Sequence, residues 1–187
     1  MPNKKSPRHV FYDLEKRRIY LTGPILSITP LLIERAFDKL ISRSTAPIQL
    51  LISSEGGDYY ATLKIFYCIS KVIDERKVIV DTIVVDYANS GAALISQAGK
   101  KKIAYEKATI RFHSAVHPFF EKERYNARMH MEAALKLFRI DAVQLFIFSY
   151  DGRPVSKIFQ LFDEEAEITA VEAKKLKLID EIIKPLN

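Results

Sequence analysis

One cysteine, Cys68, stands in the whole of the 187-residue sequence, so no disulfide can form within a chain and the fold must be held by its core. A thiol in an apolar helical stretch is ordinarily buried, and a reducing, cytoplasmic setting is expected. Nowhere does an apolar run approach the ~20 residues that cross a bilayer. The charged first 18 residues are not followed by the apolar segment of a secretion signal either, so a soluble, unexported protein without a membrane partner is expected. A block of like charge is missing as well. Twenty-nine Lys and Arg outnumber 23 Asp and Glu, giving a net charge of +6, but the basic residues are dispersed. Their densest groups are Lys4, Lys5 and Arg8, then Lys16 to Arg18, then Lys100 to Lys102, and all three read as solvated loops. Nucleic acid is therefore not expected as a partner. No low-complexity segment interrupts the chain.

What is present is enough apolar material, 48% of residues, for one substantial core. The expected organisation is a short polar arm over residues 1–17 and a single domain over 18–187. Arg18 to Thr22 reads as a strand ended by Gly23-Pro24, and Thr29-Pro30 as the N-cap and first turn of a helix. That helix buries Ile33, Ala36, Phe37, Leu40 and Ile41 and stops before Pro47. Ile48 to Ser53 is a strand broken by Gly56-Gly57, after which Leu63, Phe66, Ser70 and Ile73 mark one face of a helix. Val78 to Val85 is a β-branched strand, Asp86 to Asn89 a turn, and Ser90 to Ala98 a helix of small residues. Lys102 to Tyr105 and Thr109 to His113 are further strands. A long helix over about 120–150 is apolar on more than one face near Val143 and Leu145 to Phe148 and needs covering, by a second subunit or by its own chain. A helix beginning near Pro154, another over Ala170 to Leu176 and a strand over Leu178 to Ile183 complete an α/β fold.

Few residues could carry chemistry. Ser90 lies at a strand-to-helix turn beside Gly91-Ala92-Ala93, where unused backbone N–H groups can stabilise a developing oxyanion. A serine there can also be simply a helix cap. His113 ends a strand downstream, compatible with a general base and equally with a structural histidine. His113 and His117 have a spacing that invites a metal, but Pro118 opposes the helix that would join them and no further ligand completes a site. Gly56-Gly57 could aim N–H groups at the same cleft or form a plain turn. It has neither the Lys-Ser/Thr ending of a phosphate loop nor G-x-G-x-x-G spacing, so no nucleotide or other cofactor is expected. The acidic run Asp163, Glu164, Glu165 and Glu167 reads as a solvated N-terminal helix turn.

In order along the chain, these segments resemble the Clp protease proteolytic subunit from about Arg18 to Ile183. Arg18-Ile19-Tyr20-Leu21-Thr22-Gly23-Pro24-Ile25 is similar to that family's first core strand. Ser53-Ser54-Glu55-Gly56-Gly57 stands where the family has Asn-Ser-Pro-Gly-Gly, and Ala88-Asn89-Ser90-Gly91-Ala92 where it has Ala-Ala-Ser-Met-Gly. Ile110-Arg111-Phe112-His113 resembles the strand that ends in its histidine. Ile168 to Ala173, with Leu178-Ile179-Asp180, resembles its closing helix and strand.

The resemblance implies a ClpP/crotonase-like fold with a handle helix, and a serine endopeptidase that works through an acyl-enzyme. It implies Ser90 as nucleophile, His113 as base, and the N–H groups of Gly57 and Gly91 as the oxyanion hole. The family's aspartate falls on Glu165, with Asp163 two residues earlier as the other candidate. A peptide or unfolded protein would be the substrate. The assembly implied is a homo-oligomer of heptameric rings, as one ring or as two stacked into a tetradecamer. Pro47 to Ile52 lacks the tyrosines that the family places near its docking pockets for an ATP-driven unfoldase. The order Ser, His, acid separates the chain from α/β-hydrolases. Two other readings stay open: a ring-forming relative with a weakened triad serving assembly or regulation, and a Ser/Lys enzyme like the signal-peptide peptidases, to whose serine motif Ser90-Gly91-Ala92 is also similar. A hydratase or isomerase on the same fold ranks last.

Overall fold

The computed structural model describes residues 9–115 and 126–185, which form two compact units. The first comprises the residues up to Arg111 together with those from Glu167 onward, and the second runs from Phe112 to Ala166. His117 and the basic residues Lys4, Lys5 and Arg8 lie outside the described residues.

The first unit is built on an eight-stranded sheet. Its strands are β1 (Val10–Asp13), β2 (Arg18–Ile25), β3 (Ile48–Gly57), β4 (Val80–Asn89), β5 (Lys102–Tyr105), β6 (Thr109–Arg111), β7 (Glu167–Thr169) and β8 (Glu181–Ile183). Strands β2 to β5 and β8 run parallel in chain order, and β1 adds to the edge as an antiparallel hairpin with β2. Ile48, Leu50, Leu51 and Ile52 in β3, and Val80, Ile83 and Val84 in β4, are buried without strict alternation. Near-continuous apolar runs of this kind are what the centre of a parallel sheet requires, because both faces are covered. β1 lies inside the segment expected to be a polar arm. Phe11 stacks on Tyr20 across the hairpin with ring centroids 4.4 Å apart.

Helix α1 (Thr29–Ile41) buries Ile33, Ala36, Phe37 and Leu40, as its spacing predicts, while Ile41, expected with them, is half-buried. The three large side chains, Ile33, Phe37 and Leu40, contribute roughly 1.5–3 kcal/mol each relative to exposure. Thr29 is not the cap: it is the first helical residue, and its buried hydroxyl accepts the Leu26 N–H at 2.9 Å to close the preceding turn. Helix α2 (Tyr59–Asp74) is capped by Asp58, whose carboxylate accepts the Ala61 N–H at 2.7 Å. Its buried face is Ala61, Thr62, Ile65, Ile69 and Val72, one position round from the expected stripe of Leu63, Phe66, Ser70 and Ile73, which is half-buried. Thr62, a polar residue, lies on the buried side and Leu63 beside it, so hydrophobicity alone mislocates the face. Cys68 is half-buried rather than buried.

β4 decides the layout of the site. It continues to Asn89, through the stretch expected to be a turn. Its first half, Thr82 to Val84, pairs with β5, and its last three residues, Tyr87 to Asn89, pair with β6. The sheet therefore forks along one strand. β6 in turn pairs antiparallel with β7. A short helix α3 (Gly91–Ser96) follows the fork, and α6 (Ala170–Lys175) follows β7 with a capping box between Thr169 and Glu172.

The second unit contains helix α4 (Ala127–Ser149), a 3₁₀ turn (Tyr150–Gly152) and helix α5 (Val155–Asp163). Its centre is a set of edge-to-face rings, Phe112, Phe148 and Phe162, with centroids 5.0 to 5.7 Å apart. Such pairs add about 0.5–1.5 kcal/mol each beyond the area they bury. Buried Arg153 donates to the Phe148 carbonyl at 3.0 Å. Within α4 only Gln144 and Phe148 are buried, while Met131, Leu135, Phe138 and Phe146 are exposed. No helix among the described residues is long and apolar enough to cross a membrane.

Candidate active site

Ser90 follows the forked end of β4, and its N–H donates to the Arg111 carbonyl at 2.9 Å, so β6 fixes its backbone. Its φ of 54° and ψ of −123° lie in a region that side-chain-bearing residues avoid. A positive φ outside the left-handed helical well costs on the order of 1–3 kcal/mol, and neighbouring structure must enforce it. Ser90 heads α3 but makes no side-chain capping hydrogen bond. The simple reading of this serine as a helix cap is thus not what the geometry holds. The chain turns sharply there, and the hydroxyl is not spent on a capping bond.

Gly56 and Gly57 end β3 beside this turn. Gly56 has φ +85°, and a Cβ on it would lie 2.5 Å from the Asn89 carbonyl oxygen and 2.9 Å from both Gly91 N and Ser90 Cβ. No side chain fits between the two turns. Gly57, at φ +148°, lies against Ile25, whose carbonyl oxygen a Cβ would strike. Ser54, fully buried, clamps the strand end: its hydroxyl donates to the Gly23 carbonyl at 2.6 Å and accepts the Gly56 N–H at 3.1 Å. Gly91 is the first residue of α3, where an N–H has no partner within the helix. A Cβ there would run into Thr62 Oγ1. The structure therefore brings together, within one unit, Ser90 and both glycines proposed as oxyanion donors. Glu55, in place of the family's proline, is exposed at the same turn.

His113 and the acidic candidates belong to the second unit. His113 is half-buried, and its Nδ1 lies 2.8 Å from the Ser114 carbonyl. A carbonyl only accepts, so Nδ1 carries the proton of this contact, and in the neutral imidazole Nε2 is the acceptor nitrogen. Ala115 N–H donates to Asp141 Oδ1 at 2.8 Å, tying the following segment to α4. Phe112 N–H donates to the Ala166 carbonyl at 2.8 Å, which places the residue before His113 alongside the residue after Glu165. Glu165 has φ 47°, and Asp163 is the last residue of α5. The acidic run thus closes a helix rather than opening one, contrary to the sequence-based expectation. Glu167 lies in β7.

Sequence reasoning missed Ser54 and Thr62. Both are fully buried hydroxyls touching the glycine turns. The available signal was Thr62 four residues after a helix-capping aspartate, a spacing at which a hydroxyl reaches back to a carbonyl. Among the described residues there is no group of three or more side chains able to hold a metal ion.

Residues 6–185 match the Clp protease family. The chain belongs to that family. Its fold is also that of a mutant of ClpP1 from Listeria monocytogenes, with a TM-score of 0.78 at 19% identity, over 92% of this chain and 94% of that one. At such identity the structural likeness speaks for the fold. As a Clp protease family member the chain is ClpP-like, and its glycine turn and serine turn occupy neighbouring strand ends of the sheet.

Proposed function

We propose that this chain is a serine endopeptidase subunit acting on extended peptides inside a ring-shaped homo-oligomer, with Ser90 as nucleophile and His113 as general base. The single observation that carries it is the strained backbone of Ser90. A serine held at φ 54° and ψ −123° at a forked strand end, with no capping bond for its hydroxyl, is explained by presentation of a nucleophile.

In the proposed reaction Ser90 Oγ attacks the scissile carbonyl carbon and its proton passes to His113 Nε2. Negative charge develops on the former carbonyl oxygen, where the N–H groups of Gly57 and Gly91 receive it. The tetrahedral adduct collapses as His113 returns the proton to the leaving amine, which gives the acyl-enzyme. Water, deprotonated by His113, then adds to the acyl carbon, and collapse breaks the bond to Ser90 Oγ, which takes the proton back from His113 as the acid is released. Glu165, or Asp163, takes the Nδ1–H in this scheme, in place of the Ser114 carbonyl that holds it in the structure. Self-assembly is supported by the exposed apolar residues of α4, including Phe138 at 72% and Phe146 at 69% exposure, which in a heptameric ring or a pair of rings would be covered.

The test is intact-mass analysis after treatment with a fluorophosphonate, on wild type, Ser90→Ala and His113→Ala, beside a native mass of the assembly. One phosphonyl adduct on wild type and none on Ser90→Ala is expected. Labelling that persists in Ser90→Ala defeats the proposal, and labelling untouched by His113→Ala favours the Ser/Lys reading. The Nδ1 contact of His113 with a backbone carbonyl favours one second reading, a subunit whose triad is weakened and whose role is assembly or regulation. It predicts normal oligomers without labelling.

A further inference from the structure

The two glycines proposed as oxyanion donors come from different turns, Gly57 from the end of β3 and Gly91 from the start of α3. Their spacing is not set by one loop. A single side chain links Gly91 to the helical turn that follows Gly57. Thr62, fully buried on α2, donates its hydroxyl to the carbonyl of Asp58 at 2.9 Å, next to Gly57. The same side chain occupies the space where Gly91 would carry a Cβ: an added methyl there would meet Oγ1 and lie 3.2 Å from Cγ2 and 3.3 Å from Cβ of Thr62. Asp58 is itself pinned, its N–H donating to the Ile25 carbonyl at 2.9 Å and its carboxylate accepting from Ala61.

We infer that Thr62 is a positioning residue that gauges the separation of the Gly57 and Gly91 N–H groups. This rests on the serine peptidase reading above. The hydroxyl adds a second bond to the Asp58 carbonyl beside the Thr62 N–H, each at 2.9 Å, and so fixes Oγ1 on the turn that follows Gly57, while Oγ1, the nearest atom to the space beside Gly91, stops Gly91 from moving closer. Oxyanion stabilisation is steep in geometry, and removal of a whole donor costs 10²–10³ in rate. Loss of a positioning contact that leaves both donors present forfeits a part of that, about tenfold. The effect falls on the transition state, because ground-state binding of a peptide does not need the oxyanion position.

The experiment measures inactivation of the full-length oligomer by a fluorophosphonate, resolved into a maximal rate and a half-saturating concentration, for wild type, Thr62→Val and Thr62→Ser. Valine keeps the shape and removes the donor; serine keeps the donor. The expected result is a maximal rate about tenfold lower in Thr62→Val with half-saturation within twofold of wild type, and rescue to within about threefold in Thr62→Ser. Where valine yields no folded oligomer, Thr62→Cys, similar in size with a weak donor, makes the same distinction. A wild-type rate in the valine or cysteine variant, a change confined to half-saturation, or a serine variant as slow as valine overturns the inference while leaving the nucleophile standing. A wild type that takes no label at Ser90 overturns both.

Discussion

Ser90→Gly and Ser90→Ala both delete the nucleophile, yet they should differ in stability, and the difference measures the strain stored at the turn. Alanine must adopt the same φ of 54° and ψ of −123°, so it keeps the strain of about 1–3 kcal/mol. Glycine enters that region freely but gives the unfolded chain more freedom, which costs about 0.4–1 kcal/mol. The net expectation is a glycine variant more stable than the alanine variant by roughly 1 kcal/mol, or about 2–4 °C in Tm for a chain of this size. No capping hydrogen bond complicates the comparison, since the serine side chain makes none to α3. The assay is urea unfolding and a thermal scan of both variants at equal protomer concentration, because assembly shifts apparent stability. An alanine variant equal to or more stable than glycine, at unchanged dependence on urea, would refute the idea that the fold holds residue 90 under strain.

Gly56→Ala should leave a folded chain but lower fluorophosphonate labelling of Ser90 more than tenfold, because the new methyl has to displace Asn89, Ser90 or Gly91; a labelling rate within twofold of wild type would contradict the packing. Arg17 donates through its guanidinium to the carbonyls of Leu40, Ser44, Ala46 and Pro47 at 2.7 to 3.2 Å, closing the end of α1. Arg17→Ala should cost roughly 1–3 kcal/mol by urea unfolding, and Arg17→Lys, without the planar fork, should recover less than half. Burial, with Glu34 and Asp38 nearby, pushes the Cys68 thiol up to about 11 from 9.0. At pH 8 the folded chain then holds about 100-fold less thiolate than the unfolded one, so alkylation by iodoacetamide should be slower by that factor until urea is added; equal rates would show the thiol to be free.

Much of the fold was legible because its signals are local. Ile33, Ala36, Phe37 and Leu40 repeat at helical spacing and form the buried stripe of α1, and the β-branched runs of β3 and β4 are the central strands. Membership of the Clp protease family could be read from five short segments in order, and the comparison over residues 6–185 bears it out. Other features depend on partners distant in sequence. β7 is three residues long and exists because β6 is beside it. β4 runs on to Asn89 because β6 accepts its end. The buried face of α2 turns toward Thr62 because Gly91 leaves a space for it.

Residue type and order named Ser90, His113 and the glycine turn as candidates, and the family resemblance supplied their proposed roles as nucleophile, base and oxyanion donors. Whether Ser90 caps a helix or presents a hydroxyl is a matter of two backbone angles, and these are imposed by Arg111, Gly56 and Gly91 packing around it. Sequence determined which groups could react. Tertiary structure alone decided their conformation, because strain and close backbone approach are properties of segments brought together from twenty and more residues apart.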